Sequence, residues 1–144
     1  MKNLALLLLV FVLTTISSAA FAEQKQTLGD WDVHYIAMPT TLLQPEIARE
    51  NQITRSILNG LINISVLNRT DQQAQAVSLS GRAKNLLGQT KELSFREVRQ
   101  GQAIYYLAQY QFRGEERITI EIDITQGPKR QQLKFDHTFY PEEL

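Results

Sequence analysis

Ile118, Ile120, Ile122 and Ile124 alternate with Thr119, Glu121 and Asp123. A period of two sends the isoleucines to one face and the polar residues to the other, the pattern of a strand buried on one side only. β-Branched side chains also fit a pleated surface better than a helix. The preceding stretch repeats the pattern at Ile104, Tyr106, Ala108, Tyr110 and Phe112, and Arg113-Gly114-Glu115-Glu116-Arg117 separates the two runs. Read as a hairpin, they pair with Phe112 opposite Ile118, Tyr110 opposite Ile120, Ala108 opposite Ile122 and Tyr106 opposite Ile124. A slip of one residue would set Gln109 and Gln111 against the isoleucines, so the hydrophobic pattern selects this register.

The same period recurs along the chain. After a polar leader at Glu23–Thr27, Gly29–Met38 reads as a first strand, with Trp31, Val33, Tyr35 and Ala37 on one face. Pro45 then suits the first position of a short helix through Glu50. The N–H it lacks would be unpaired there, and Glu46 complements the helix dipole. Ile53–Ile57 reads as a short strand, Asn59-Gly60 as a turn, and Leu61–Leu67 and Ala76–Ala83 as strands. Glu92–Arg99 reads as one strand with Leu93 and Phe95 inward. Past the Gly127-Pro128 turn, a last strand carries Leu133, Phe135, His137 and Phe139 on one face. About seven strands joined by turns, without β-α-β alternation, indicate an all-β fold. The expected form is an antiparallel two-sheet, immunoglobulin-like sandwich with one short connecting helix. A small barrel is the alternative.

Lys2, the apolar run Leu4–Leu13 and Ala20-Phe21-Ala22 supply the three parts of a signal peptide. Residues 1–22 are therefore expected to be removed, leaving 23–144 as a single exported domain. The apolar run is too short to span a bilayer. Exported domains often carry disulfides, yet the chain has no cysteine, which also excludes thiolate metal sites and cysteine nucleophiles. Lys plus Arg number 15 against 15 Asp plus Glu, scattered along the chain. Such a balance gives no long-range pull on a polyanion, so nucleic acid is not an expected partner.

The chain has two histidines, His34 and His137. Asp32 shares the face of His34, but Asp136 points away from its neighbour His137. A metal site needs three or four converging ligands, and this spacing does not bring them together, so no cofactor is expected. His137 reads as a histidine at the edge of the core. There is no Gly-x-Ser-x-Gly elbow and no glycine-rich phosphate loop, and the acidic pairs at Glu115 and Glu142 fall in a turn and a tail. These absences point away from an enzyme. Tyr105 and Leu107 remain, set by the derived register next to Thr125 and Asp123. With His34 and Arg55 they form part of a recognition surface, or else pack beneath the short helix.

Five blocks occur in an order that resembles the domain-of-unknown-function family 4426 over essentially the whole mature chain. They are Gly29-Asp30…Val33-His34-Tyr35, Leu43…Pro45-Glu46-Ile47-Ala48, Ile53-Thr54-Arg55-Ser56, Asn85-Leu86…Gly88-Gln89 and Gly101…Ala103-Ile104-Tyr105-Tyr106-Leu107. The resemblance implies an exported protein of a Gram-negative bacterium, a periplasmic β-sandwich, and supplies no activity or catalytic residues. Among the matching positions, His34, Tyr35, Arg55, Ser56, Asn85, Gln89 and Tyr105 are the candidate binding residues, several of them polar and in connections, where binding roles concentrate. Pro45 and Glu46 also match, and Pro45 is explained by the helix start. The expected function is recognition of a protein or peptide partner, for which an exposed sheet edge is one mode. A small-ligand or metal carrier, and lastly a hydrolase, are the alternatives.

Overall fold

The computed structural model describes residues 24–141. The expected signal peptide, residues 1–22, lies outside the described residues. Among those described, no helix is long and apolar enough to cross a membrane.

The strands are β1 (Gln24–Leu28), β2 (Trp31–Pro39), β3 (Asn59–Asn68), β4 (Ser78–Asn85), β5 (Thr90–Leu93), β6 (Arg96–Gln100), β7 (Ala103–Gln111), β8 (Glu116–Gln126) and β9 (Lys129–Phe139). A 3-10 turn, Thr40–Leu42, and one helix, α1 (Pro45–Glu50), lie between β2 and β3. Two antiparallel sheets form, in the orders β1-β2-β3-β7-β6 and β5-β4-β8-β9. The expected all-β sandwich is present, with nine strands among the described residues.

The expected hairpin of β7 with β8 does not form. β7 pairs with β3 and β6, whereas β8 pairs with β4 and β9 in the other sheet. Tyr106, Ala108, Tyr110 and all four isoleucines are nevertheless buried. The two apolar faces meet across the core instead of lying side by side, and residues 112–115 carry the chain from sheet to sheet. Alternation reports which face is buried and is silent on whether the partner is a lateral or a facing neighbour. Tyr105 accordingly lies beside Val98 of β6, not beside Thr125 or Asp123.

Glu92–Arg99 divides for the same reason. β5 ends at Leu93 in one sheet, β6 begins at Arg96 in the other, and Ser94-Phe95 make the crossing. The polar leader contributes β1, an edge strand with little apolar patterning because both its faces are largely exposed. Ile53–Ile57 forms no strand. Ile53 joins Ala48 and Leu61 in a small second cluster, with Met38, Leu43 and Leu107 packed on it. Thus α1 and its following loop cover part of the outer face of the five-stranded sheet, Leu107 included.

Asn59-Gly60 is not a turn but the start of β3, paired with Gln111 and Tyr110. Its glycine answers a packing demand. A Cβ on Gly60 would lie 2.3 Å from the Phe139 ring. That ring stacks at 5.8 Å on Tyr110 and 5.1 Å on Phe112, closing one end of the core.

His137 packs edge-on against Phe139, ring centroids 4.5 Å apart, and burial holds its pKa below the usual imidazole value of 6.5. The unfolded chain therefore binds the proton at a pH where the folded one does not. Stability is full above pH 6.5 and falls as pH drops through the depressed native pKa. Thermal melts at pH 7.5 and 5.5 should show a lower Tm at the acid end. His137→Phe should flatten that difference, and an unchanged difference would assign it to other groups.

Candidate functional site

The sheet registers align the two ends of the sandwich. β2 ends beside Gly60, Gly60 lies beside Tyr110, Asn85 beside Ile118, and Phe139 beside Glu116. The connections at this end carry Leu42, Ile47, Ile57, Leu58, Leu86, Leu87 and Tyr140, which are the exposed large apolar side chains among the described residues. Leu86 and Leu87 are 82% and 84% exposed. Single exposed leucines need no explanation, but a cluster confined to one end of a molecule does.

The opposite end is polar. Its connections include Gly29-Asp30, residues 69–73 and Gly127-Pro128. Asp32 ties it together. Thr27 donates to Asp32 Oδ1 at 2.9 Å and Gln72 Nε2 to Oδ2 at 2.9 Å, and these bonds hold the carboxyl below the usual carboxylate range. The acid that sequence reasoning paired with His34 is therefore engaged with its own strand neighbour and a loop. Among the described residues there is no group of three or more His, Cys, Asp or Glu that could hold a metal ion.

At the apolar end two hollows open. One, of about 570 Å³, lies between the β4–β5 turn and the β7–β8 crossing and is lined by Leu86, Leu87, Gln89, Lys91 and Arg113–Arg117. The other, of about 420 Å³, is lined by Thr54, Ser56, Leu58, Asn59, Gln111 and Phe112, with Lys91 and Arg113 again. Lys91 Nζ donates to the Gln111 carbonyl at 2.7 Å and sits 4.8 Å from the Tyr110 ring centroid. The Tyr110 hydroxyl donates to Glu116 Oε1 at 2.7 Å. Burial first, then that carboxylate, raises the phenol pKa far above its ordinary value, so Tyr110 stays a neutral donor at any working pH.

The candidate residues fall into three places. His34 and Tyr105 lie half-buried on the outer face of the five-stranded sheet, His34 beside Lys25 and Ser65. Tyr35 is on the inner face of β2, stacked on Phe135 at 4.3 Å, and packs as core. Ser56, Asn85 and Gln89 line the hollows at the apolar end. Arg55 is near them, its Nη2 donating to the Thr41 carbonyl at 3.1 Å.

What Asn85, Gln89 and Ser56 do there is hold loops. Asn85 Oδ1 accepts from Leu87 N at 3.0 Å and Gln89 N at 2.9 Å, while Asn85 Nδ2 donates to Gln89 Oε1 at 2.9 Å. A turn so fully bonded within itself leaves Leu86 and Leu87 pointing at solvent. Asn85→Ala should cost about 1 kcal/mol, measured by urea unfolding, since exposed backbone groups regain water. Ser56 Oγ accepts from Leu58 N at 3.1 Å, and Ser56 N donates to Thr40 Oγ1 at 3.1 Å. Thr40, fully buried, also donates to the Asn59 carbonyl at 2.9 Å. Asn59 in turn donates to Thr54 O and to Gln109 Oε1. Sequence reasoning missed Thr40, Asn59, Leu86, Leu87 and Arg113. The paired leucines inside a turn signal were the one feature that could have pointed there.

Comparison places this arrangement among known folds. A DUF4426 family protein of Pseudomonas aeruginosa PAO1 superposes with a TM-score of 0.74 at 33% identity, over 84% of this chain and 97% of that one. FetP of uropathogenic Escherichia coli strain F11, expressed recombinantly in the periplasm, superposes with a TM-score of 0.60 at 9% identity, over 85% and 96% of the two chains. A copper-bound variant of FetP gives 0.58, also at 9% identity, over 85% and 93%. At that identity the likeness to FetP is one of fold. No curated protein is detectably similar in sequence. The family model "Domain of unknown function (DUF4426)" matches residues 25–142, and the chain belongs to that family.

Proposed function

We propose that this protein is a periplasmic, non-enzymatic binding module that recognises a protein or peptide partner through the apolar end of its sandwich. The observation that carries this reading is that the exposed large apolar side chains among the described residues lie in segments joining or following the strands at one end of the sandwich, with Leu86, Leu87 and Leu58 lining two adjoining hollows. Interfaces concentrate apolar contact area in such patches, with charged groups at the rim. Export of the chain rests on the signal-like segment at residues 1–22.

The test is crosslinking in the intact periplasm of the native host, with mass spectrometry of what the protein captures. A recurrent partner should be lost on the double substitution Leu86→Asp, Leu87→Asp. That change lies in a solvent-exposed turn and should alter stability by no more than about 0.5 kcal/mol. Capture unaffected by the double substitution would place recognition elsewhere. Stoichiometric copper or zinc in protein purified without chelator would replace this reading with the metal-carrier alternative.

A further inference from the structure

The two hollows share Lys91 and Arg113, so they form one trough with a cationic saddle between them. Leu86 and Leu87 wall one side, and Leu58 stands over the other. The charges around the saddle are unevenly compensated. Arg117 is held by Asp136 at 3.1 Å, and Glu116 accepts the Tyr110 hydroxyl. Lys91 bonds only to a carbonyl and an aromatic face, and neither it nor Arg113 has a carboxylate partner among the described residues. The saddle therefore offers two basic groups to an incoming acid, with Leu86 and Leu87 on one side and Leu58 on the other.

We propose that this trough takes an extended peptide segment in which an acidic side chain is flanked, two residues to each side, by aliphatic ones. The proposal rests on the reading of the apolar end as the binding surface. In extended chain, alternate residues project to the same side about 6.5–7 Å apart. A Leu-x-Glu-x-Leu pattern thus sets its carboxylate on Lys91 and Arg113 and a leucine into each hollow. The donors that the loop bonds leave unused, the Ser56 hydroxyl and Gln89 Nε2, and the Gln111 side-chain amide suit peptide backbone, whose N–H and C=O need partners when desolvated. A bilayer would leave those groups unmatched.

The experiment is fluorescence polarisation of the mature protein with a labelled peptide, Ser-Leu-Ser-Glu-Ser-Leu-Ser, against versions carrying Lys or Gln in place of Glu. A version with both leucines replaced by serine completes the set. Binding should weaken by about tenfold or more for the Lys peptide and for the leucine-free one. Arg113→Glu should weaken the Glu peptide similarly and recover the Lys peptide, a charge swap that a folding defect cannot imitate. Equal binding of the Glu and Lys peptides would overturn the proposal. So would binding of none of them while periplasmic capture still depends on Leu86 and Leu87, and in that case the surface stands and only its ligand chemistry falls. Leucine-dependent sedimentation with phosphatidylglycerol vesicles, or leucine-dependent dimerisation, together with no peptide binding, would overturn it in favour of a lipid surface or a second copy.

Discussion

Replacing Phe139 by alanine should lower stability by about 3–5 kcal/mol and Tm by roughly 10–20 °C. The ring is buried and closes the core at the apolar end between Tyr110, Phe112 and His137. Nothing nearby can collapse readily into its place, because both sheets are hydrogen-bonded ladders at this level. Gly60→Ala attacks the same contact from the other side, pressing a methyl group into the ring at 2.3 Å. It should cost about 1–3 kcal/mol as overpacking. The two effects should not add. With the ring gone the added methyl has room, so the double variant should be more stable than the sum predicts. Urea unfolding of the four proteins measures the coupling, and strict additivity would show that Gly60 is needed for something other than the ring.

Thr40→Val should cost about 2–3 kcal/mol although it preserves shape, because the hydroxyl serves two backbone groups at once, one buried and one half-buried. It donates to the Asn59 carbonyl and accepts from Ser56 N. Valine leaves both unpaired. Ser56 and Leu58 border the second hollow, so the same change should loosen the trough. Peptide affinity should fall along with stability, whereas Val33→Ala, buried away from the trough beside Val66 and expected to give a similar loss of stability, should leave affinity nearer to wild type. Hydrogen exchange at Ser56 reads the effect directly: its amide should lose protection in the Thr40 variant. Retained protection would mean that the loop is held by its other bonds, such as Asn59 Nδ2 to the Thr54 carbonyl at 2.8 Å.

The alternation of Ile118–Ile124 specified burial correctly for every residue in the run, and likewise for Trp31, Val33, Tyr35 and Ala37. It could not specify partners. The facing of β7 and β8 across the core, and the crossing at Ser94-Phe95, arise from loop geometry and sheet stacking, to which a period of two is indifferent. β1 was illegible because an exposed edge strand needs no apolar face. Asn59-Gly60 misled because a glycine demanded by an aromatic ring is written with the same letters as a turn. Of the candidate site, the sequence drew attention to Asn85, Gln89 and Ser56 as binding groups. The structure gives their polar atoms to the loops, and the apolar residues between them are what reaches solvent. Lys91 and Arg113 come from strands and crossings far apart in the chain, and only the fold brings them together.

The crossing of β7 into the opposite sheet from β8 also sets how the chain reaches its folded state. Without that local hairpin, ladders must be closed between Gly60 and Tyr110 and between Ser78 and Thr125, segments roughly fifty residues apart. Pairings of such long range are slow, and sandwiches of this kind refold in about milliseconds to seconds. The β8–β9 hairpin can close locally, but until β4 docks its other edge lies open, and the isoleucine-rich strand is then the segment most prone to self-association. Glu121 and Asp123, which contribute nothing to the core, interrupt it with charge at alternate positions and keep the waiting strand from pairing with its own kind.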